Sequence, residues 1–283
     1  VVLALWLVIA RSGRLSLAAA RIGIASLPQR WGASSVIVVG IAGVVGVLVA
    51  MLAMGEGFQA TLNNTGSDDT AIILRGGSQA ETNSVITRDQ VPLISNFPGI
   101  AKGSDGKPLV SPELSQVINL PMKSSGSDAN AQVRGVGDAA WAVRDNIRIV
   151  EGRKFKPGLR ELVVGQGAQH QFRGLEVGKT LRLANQDWTI VGTFASGDAH
   201  DSELWSDAET LASTYRRTAF QSITVRLDGK SGFKQLKTAV DADTRLKLDV
   251  ETTHEYYSKQ SGNLTKVSNV LGTVIGAIMA IGA

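Results

Sequence analysis

The sequence predicts an α+β protein in which membrane-crossing helices flank a large water-soluble domain, itself an α/β subdomain carrying a β-rich insertion. Three observations point there. A 19-residue run without charge stands near the start, a second apolar run of 17 residues closes the chain, and some 200 residues with strand and helix patterning lie between them. Of the 283 residues 43% are hydrophobic and the mean hydropathy is slightly positive, +0.07, yet only 5% are aromatic and 31 are glycine. That balance suits Val-, Ile-, Ala- and Gly-rich membrane helices joined to a polar domain. With no cysteine, a disulfide framework, a thiol nucleophile and thiolate metal sites are excluded.

Residues 1–33 form an N-terminal cytoplasmic or interfacial segment. Its first ten residues, VVLALWLVIA, are too short to span a bilayer alone and suit either the tail of a helix or a buried interfacial stretch. Between Leu15 and Leu27 small and apolar residues predominate, and Arg14 and Arg21 fall on one helical stripe before Pro28 ends the pattern. Such a helix lies at the membrane surface, with Arg14, Arg21 and Arg30 anchoring it to lipid phosphates on the cytoplasmic side.

Residues 34–56 make the first transmembrane helix. At about 1.5 Å per residue the core run Val36–Met54 reaches across the roughly 30 Å of hydrocarbon, and it is too long for a signal peptide's apolar region. No acidic residue precedes Glu56, whereas Arg11, Arg14, Arg21 and Arg30 do. The positive-inside rule therefore puts the N-terminus in the cytoplasm and the next segment outside. The same four arginines account for the net charge of +4, which leaves 25 basic against 25 acidic residues elsewhere. A nucleic-acid-binding face would need its basic residues clustered in the folded domain, so nucleic acid is not an expected partner.

Residues 57–263 form the outer domain. Thr70–Leu74 is a buried strand, and Thr87–Ser95 a short helix with Thr87 as cap and Gln90 completing a capping box. From about 131 to 200 the pattern turns to short alternating strands between glycine turns, among them AQVRGVG, RELVVG and DWTIVGTF, the insertion. A helix follows over Ser206–Tyr215, capped by Ser206. Then come a strand over Gln221–Leu227, a helix over Gly232–Ala242 and a strand over Leu246–Glu251, a β–α–β unit whose partner is the strand, helix and strand between Thr70 and Leu120.

Residues 264–283 are the second transmembrane helix, truncated, since 17 apolar residues fall just short of a span. Small residues recur at four-residue spacing in both runs: Ala42, Gly46 and Ala50, then Gly272, Gly276 and Ala280. These are the candidate helix-packing positions.

No motif favours an enzyme. Gly174–Thr180 (GLEVGKT) has three residues between its glycines where a phosphate loop needs four, and a strand pattern follows it. It is a turn. His170, His200 and His254 show no metal spacing, and Asp198, His200, Asp201 and Glu203, though close together, suit a solvated loop better than a metal site. No Gly-x-Ser-x-Gly elbow is present. No catalytic, cofactor or metal residue is therefore assigned.

The arginine-flanked helix followed by Gly55-Glu56-Gly57-Phe58 begins a longer series: Val133-Arg134-Gly135-Val136, Trp141, Glu151–Phe155, ELVVG (161–165), FRGLEVG (172–178), WTIVG (188–192), SELWSD (202–207) and Tyr256-Tyr257. In this order, between two apolar runs, they resemble the MacB/FtsX-like permeases of ABC transporters, including the lipoprotein-release type. The resemblance implies a multi-pass permease subunit of the bacterial cytoplasmic (inner) membrane with its large domain in the periplasm. It implies a second permease subunit, as homo- or heterodimer, a separate ATPase subunit holding the ATP and Mg2+, and a periplasmic adaptor as a further partner. Helices three and four of the family are not in this sequence. A membrane-anchored sensor with an outer ligand-binding domain fits the same two-span layout.

Overall fold

The computed structural model describes residues 31–262 together with 270, 272, 274 and 275. Two compact units emerge, one comprising residues 1–56 with 267–283, the other Gly57–Lys266. Arg14, Arg21, Arg30, Gly276, Ala280 and the expected surface helix over 15–27 lie outside the described residues.

Helix α1 (Trp31–Asn63) contains a 25-residue stretch, Val38–Leu62, long and apolar enough to cross a membrane, with mean hydropathy 2.5. Val38, Val39 and Val47 are more than 60% exposed, as expected of a helix whose partner is hydrocarbon rather than protein. The described residues 270, 272, 274 and 275 are helical.

The second unit is built on one ten-stranded sheet. Strands β1 (Thr70–Arg75), β2 (Ile86–Thr87), β3 (Val110–Pro121) and β4 (Asp128–Val136) come first, with helix α2 (Gln90–Ser95) between β2 and β3. Helix α3 (Ala140–Val143), β5 (Arg148–Gly152), β6 (Glu161–Gly165), α4 (Gln166–Gln171), β7 (Thr180–Leu183) and β8 (Gln186–Ala195) follow. After β9 (Glu203–Asp207) come α5 (Ala208–Thr214), β10 (Ala219–Phe220), β11 (Ser222–Arg226), α6 (Gly229–Ala242) and β12 (Leu248–Thr252). Residues 253–262 are helical.

The sheet runs β12-β1-β11-β3-β4-β9-β6-β8-β5, with β7 also on β8. Its first four strands explain the β–α–β pattern. β1 is antiparallel to both β11 and β12, and β11 is antiparallel to β3. Each β–α–β unit is thus split by one strand of the other, so the two units interlock as a ferredoxin-like subdomain. Everything from β4 to α5 is inserted between its halves. The insertion is not a separate sheet, because β3 pairs with β11 through Val110–Glu113 and with β4 through Leu114–Pro121.

Alternation sets the two faces. On the split subdomain Ala71, Ile73, Ile223 and Val225 point to α2 and α6, where they meet Ile94, Leu236 and Val240. Leu236 and Val240 are four apart and so share a face of α6. In the insertion Leu162 and Val164 join Trp188, Ile190 and Leu211 in one core, while Val163 joins Phe194 and Trp205 in another. β6 is covered on both faces, hence its unbroken apolar run.

Two local expectations shift. Helix α2 starts at Gln90 rather than Thr87, although half of the capping box forms: the Thr87 N–H donates to the Gln90 side chain at 3.0 Å. The cap of α5 is Asp207, whose carboxylate accepts from the Thr210 N–H at 2.9 Å. Ser206 belongs to β9, and its buried hydroxyl has no hydrogen-bond partner among the described residues. A carboxylate at a helix N-terminus gains from the dipole, which decides between the adjacent candidates.

Candidate functional site

The sheet face opposite α2 and α6 carries charge. Ser222 and Thr224 on β11, Ser111 and Glu113 on β3, Arg134 on β4 and Glu203 on β9 line it, and Glu81 from a 3-10 turn (Glu81–Asn83) reaches in. All of these side chains are buried. Arg134 is at the centre, 3% exposed. Two of its nitrogens donate to the two oxygens of Glu81 at 2.9 and 3.1 Å, and two to Glu203 at 2.9 Å each. A fifth bond runs to Glu113 Oε2 at 3.2 Å. All five guanidinium donors are thereby used. Arg144, just after α3, forks onto Glu113 at 2.7 and 2.9 Å, donates to Thr224 at 3.2 Å and lies over the Trp205 ring.

Three carboxylates against two guanidiniums in a buried site must be fully hydrogen-bonded to persist. Ser222 donates to Glu81, Ser111 to Glu113 and the Trp205 indole to Glu203 at 2.7, 2.9 and 2.8 Å. Burial pushes all three carboxyls up, but the guanidiniums outweigh it and hold each below the usual range: Arg134 for Glu81 and Glu203, Arg144 with Arg134 for Glu113. Tyr256 OH accepts from the Glu81 N–H at 3.2 Å, and burial with the Glu81 charge moves its pKa up to about 12.

The cluster adjoins both chain ends of the unit. Thr65, fully buried after α1, accepts the Ala199 N–H on its hydroxyl at 3.1 Å. The His200 ring is 3% exposed, with Nδ1 2.9 Å from Asp198 and Nε2 3.4 Å from Tyr257 OH. Between the ends, the Ser67 N–H donates to Thr253 Oγ1 at 2.8 Å. Gly66, at φ +87°, lies so near that an added Cβ would be 2.6 Å from the Thr253 carbonyl carbon, a position only glycine fills. A cavity of about 370 Å³ opens here, bordered by Arg144, Asp198, His200, Thr253 and Tyr257. A wider cleft of about 1300 Å³ lies among the 103–112 segment, Pro157–Arg160 and α5.

Asp198, His200, Asp201 and Glu203, close in sequence, are divided among different partners. Asp201 accepts from the Ser196 and Gly197 N–H groups at 2.6 and 3.1 Å, Asp198 faces His200, and Glu203 faces Arg134. Among the described residues no group of three or more such side chains is arranged to hold a metal ion. His170 and His254 are exposed.

Of the helix-packing candidates, Ala42, Gly46 and Ala50 are exposed on α1. Gly272 faces α1 through other residues: a Cβ there would be 3.6 Å from Leu52 and 4.0 Å from Leu48. The ionic cluster was not among the sequence candidates. Its only local trace is a charge inside an apolar strand, as in Val133-Arg134-Gly135-Val136.

Comparison with known proteins agrees with this architecture. The family model described as the MacB-like periplasmic core domain matches residues 34–243. The crystal structure of the periplasmic region of MacB from Actinobacillus actinomycetemcomitans is similar with a TM-score of 0.51 at 15% identity, over 70% of this chain and 94% of that one. The extracellular domain of the noncanonic ABC-type transporter YknZ from Gram-positive bacteria gives 0.47 at 15% identity, over 65% of this chain and all of the other. No curated protein matches.

Proposed function

Because the chain belongs to the MacB-like periplasmic core domain family, we propose that it acts as the membrane-spanning permease subunit of a MacB/FtsX-type ABC transporter. The subunit resides in a bacterial inner membrane. It performs no chemistry itself. ATP and Mg2+ are held by a separate ATPase subunit, and a second permease subunit completes the transporter. Closure of the ATPase moves the membrane helices, and the outer domain changes shape to export or extract a substrate, in concert with a periplasmic adaptor.

One observation carries this reading beyond family membership. The cluster centred on Arg134 joins β3 of the split subdomain, β4 and β9 of the insertion, and, through Glu81 and Tyr256, the helical segment that leads to the second apolar run. A displacement of that segment meets directional bonds rather than slippery apolar contact, so it is passed to both subdomains. The test is purification of the full-length protein with the ATPase encoded beside it. Co-purification and faster ATP hydrolysis in its presence are expected. A protein that associates with no ATPase overturns the proposal.

A further inference from the structure

The turn spanning residues 196–201 belongs to the insertion, yet it touches both chain ends of the unit. Its own shape is fixed. Asp201 accepts the Ser196 and Gly197 N–H groups, Asp198 accepts the His200 N–H at 2.9 Å, and Asn146 donates to the Ser196 carbonyl and to Asp198 at 3.1 and 3.0 Å. At its base Gly165 lies against it so closely that a Cβ would be 2.2 Å from the Asp201 carbonyl oxygen. From this rigid mount two groups project. The Ala199 N–H holds Thr65, whose hydroxyl in turn donates to the Thr61 carbonyl in the last turns of α1 at 2.8 Å. The His200 ring stands edge-on to Tyr257 at 5.9 Å between centroids and to Trp205 at 5.8 Å.

A single hydrogen-bond direction satisfies the neutral ring: Nδ1–H donates to Asp198, and Nε2 accepts from the Tyr257 hydroxyl. The contact to Tyr257 is the longest in this chain of bonds, 3.4 Å, while Arg134's five bonds are all 3.2 Å or shorter. Under load the first joint to part is therefore the one at His200, not the ionic cluster.

We propose that the 196–201 turn is the grip by which the insertion holds both membrane-linked chain ends, with His200 as the positioning residue and the His200–Tyr257 contact as its releasable joint. This rests on the coupling function proposed above. It extends that function by naming where the insertion lets go when the ends separate, so that its orientation follows the spacing of the two ends.

The full-length chain provides two tests. In the first, without ATPase, amide hydrogen exchange is compared between wild type and His200→Phe, which keeps a ring of similar size. Exchange at residues 62–67 and 254–258 should quicken about tenfold, the effect of one lost buried hydrogen bond. His200→Gln, whose amide can reach Tyr257, should restore part of the protection. Unchanged exchange in His200→Phe overturns the grip whatever the transporter does. In the second, spin labels are placed at Leu93→Cys and Val150→Cys, both exposed positions, residues 1–283 holding no cysteine of their own and any cysteine outside them being replaced by serine. With the partner ATPase and Mg-ATP, the label distance should shift in wild type and by clearly less in His200→Phe, where only the path through Arg134 remains, while ATP hydrolysis continues. An equal shift in both overturns the role of His200. No shift in wild type counts against the coupling function instead, and the exchange result then decides the grip alone.

Discussion

The two faces of the split subdomain are built from the same strands and held by different physics. On β11, Ile223 and Val225 face α2 and α6, while Ser222 and Thr224, one residue out of phase, face Arg144 and Glu81. The first face gains from burying area, which is non-directional and tolerant of repacking. The second gains little net stability from ions that must first be desolvated, but it admits one arrangement of five donors and three carboxylates. One face keeps the subdomain folded. The other keeps it in register with the insertion and the chain ends.

The sharpest way to break that contrast is Arg134→Ala. It strands Glu81, Glu113 and Glu203 without their common counter-charge, and removal of one member of a buried ion pair costs about 3–5 kcal/mol. Denaturant unfolding of the full-length protein in detergent should show a loss of that size. Acid probes the same face without mutation. The three carboxyls have folded pKa values below their ordinary ones, so their contribution is complete above about pH 4.5 and is lost as the pH falls further. Stability measured downward from pH 6 should hold to about that pH and then drop, and Arg134→Ala should flatten the drop.

On the apolar face, Ile223→Ala should cost about 2–5 kcal/mol by transfer and cavity formation, with the acid profile left as in wild type. A drop in slope for Ile223→Ala would mean that the two faces are not independent. The smallest effects separate adjacent residues at the start of α5. Asp207→Ala should lose about 1 kcal/mol of cap. Ser206→Ala, which removes a buried hydroxyl without a partner among the described residues, should be neutral or gain up to about 1 kcal/mol.

How much of this was legible in the sequence follows from the same contrast. Period-2 alternation revealed β11 and period-3.6 spacing revealed α6, because the apolar face writes its geometry into neighbouring residues. The turn at Gly174–Thr180 was readable from its glycines. The choice of Asp207 over Ser206 was not, since both residues can cap. Least legible was the ionic cluster. Glu81, Glu113, Arg134, Arg144 and Glu203 come from five separate segments, so no spacing encodes their meeting. Arg134 nevertheless stands between Val133 and Gly135-Val136 in a buried stretch of β4, and a charge buried in a strand must find its opposite somewhere in the fold.

The close passage of Gly66 beneath Thr253 has a consequence for how such a protein can change over evolution or on the bench. Everything between those two residues is reached and left through a single doorway, one backbone thickness wide. A module with one doorway can be exchanged whole, provided that the residues just outside the door that bond into it, Thr65, Tyr256 and Tyr257, travel with it. Swapping residues 65–257 between relatives as one block would keep those bonds together, with the glycine as hinge pin and the threonine hydroxyl as latch plate.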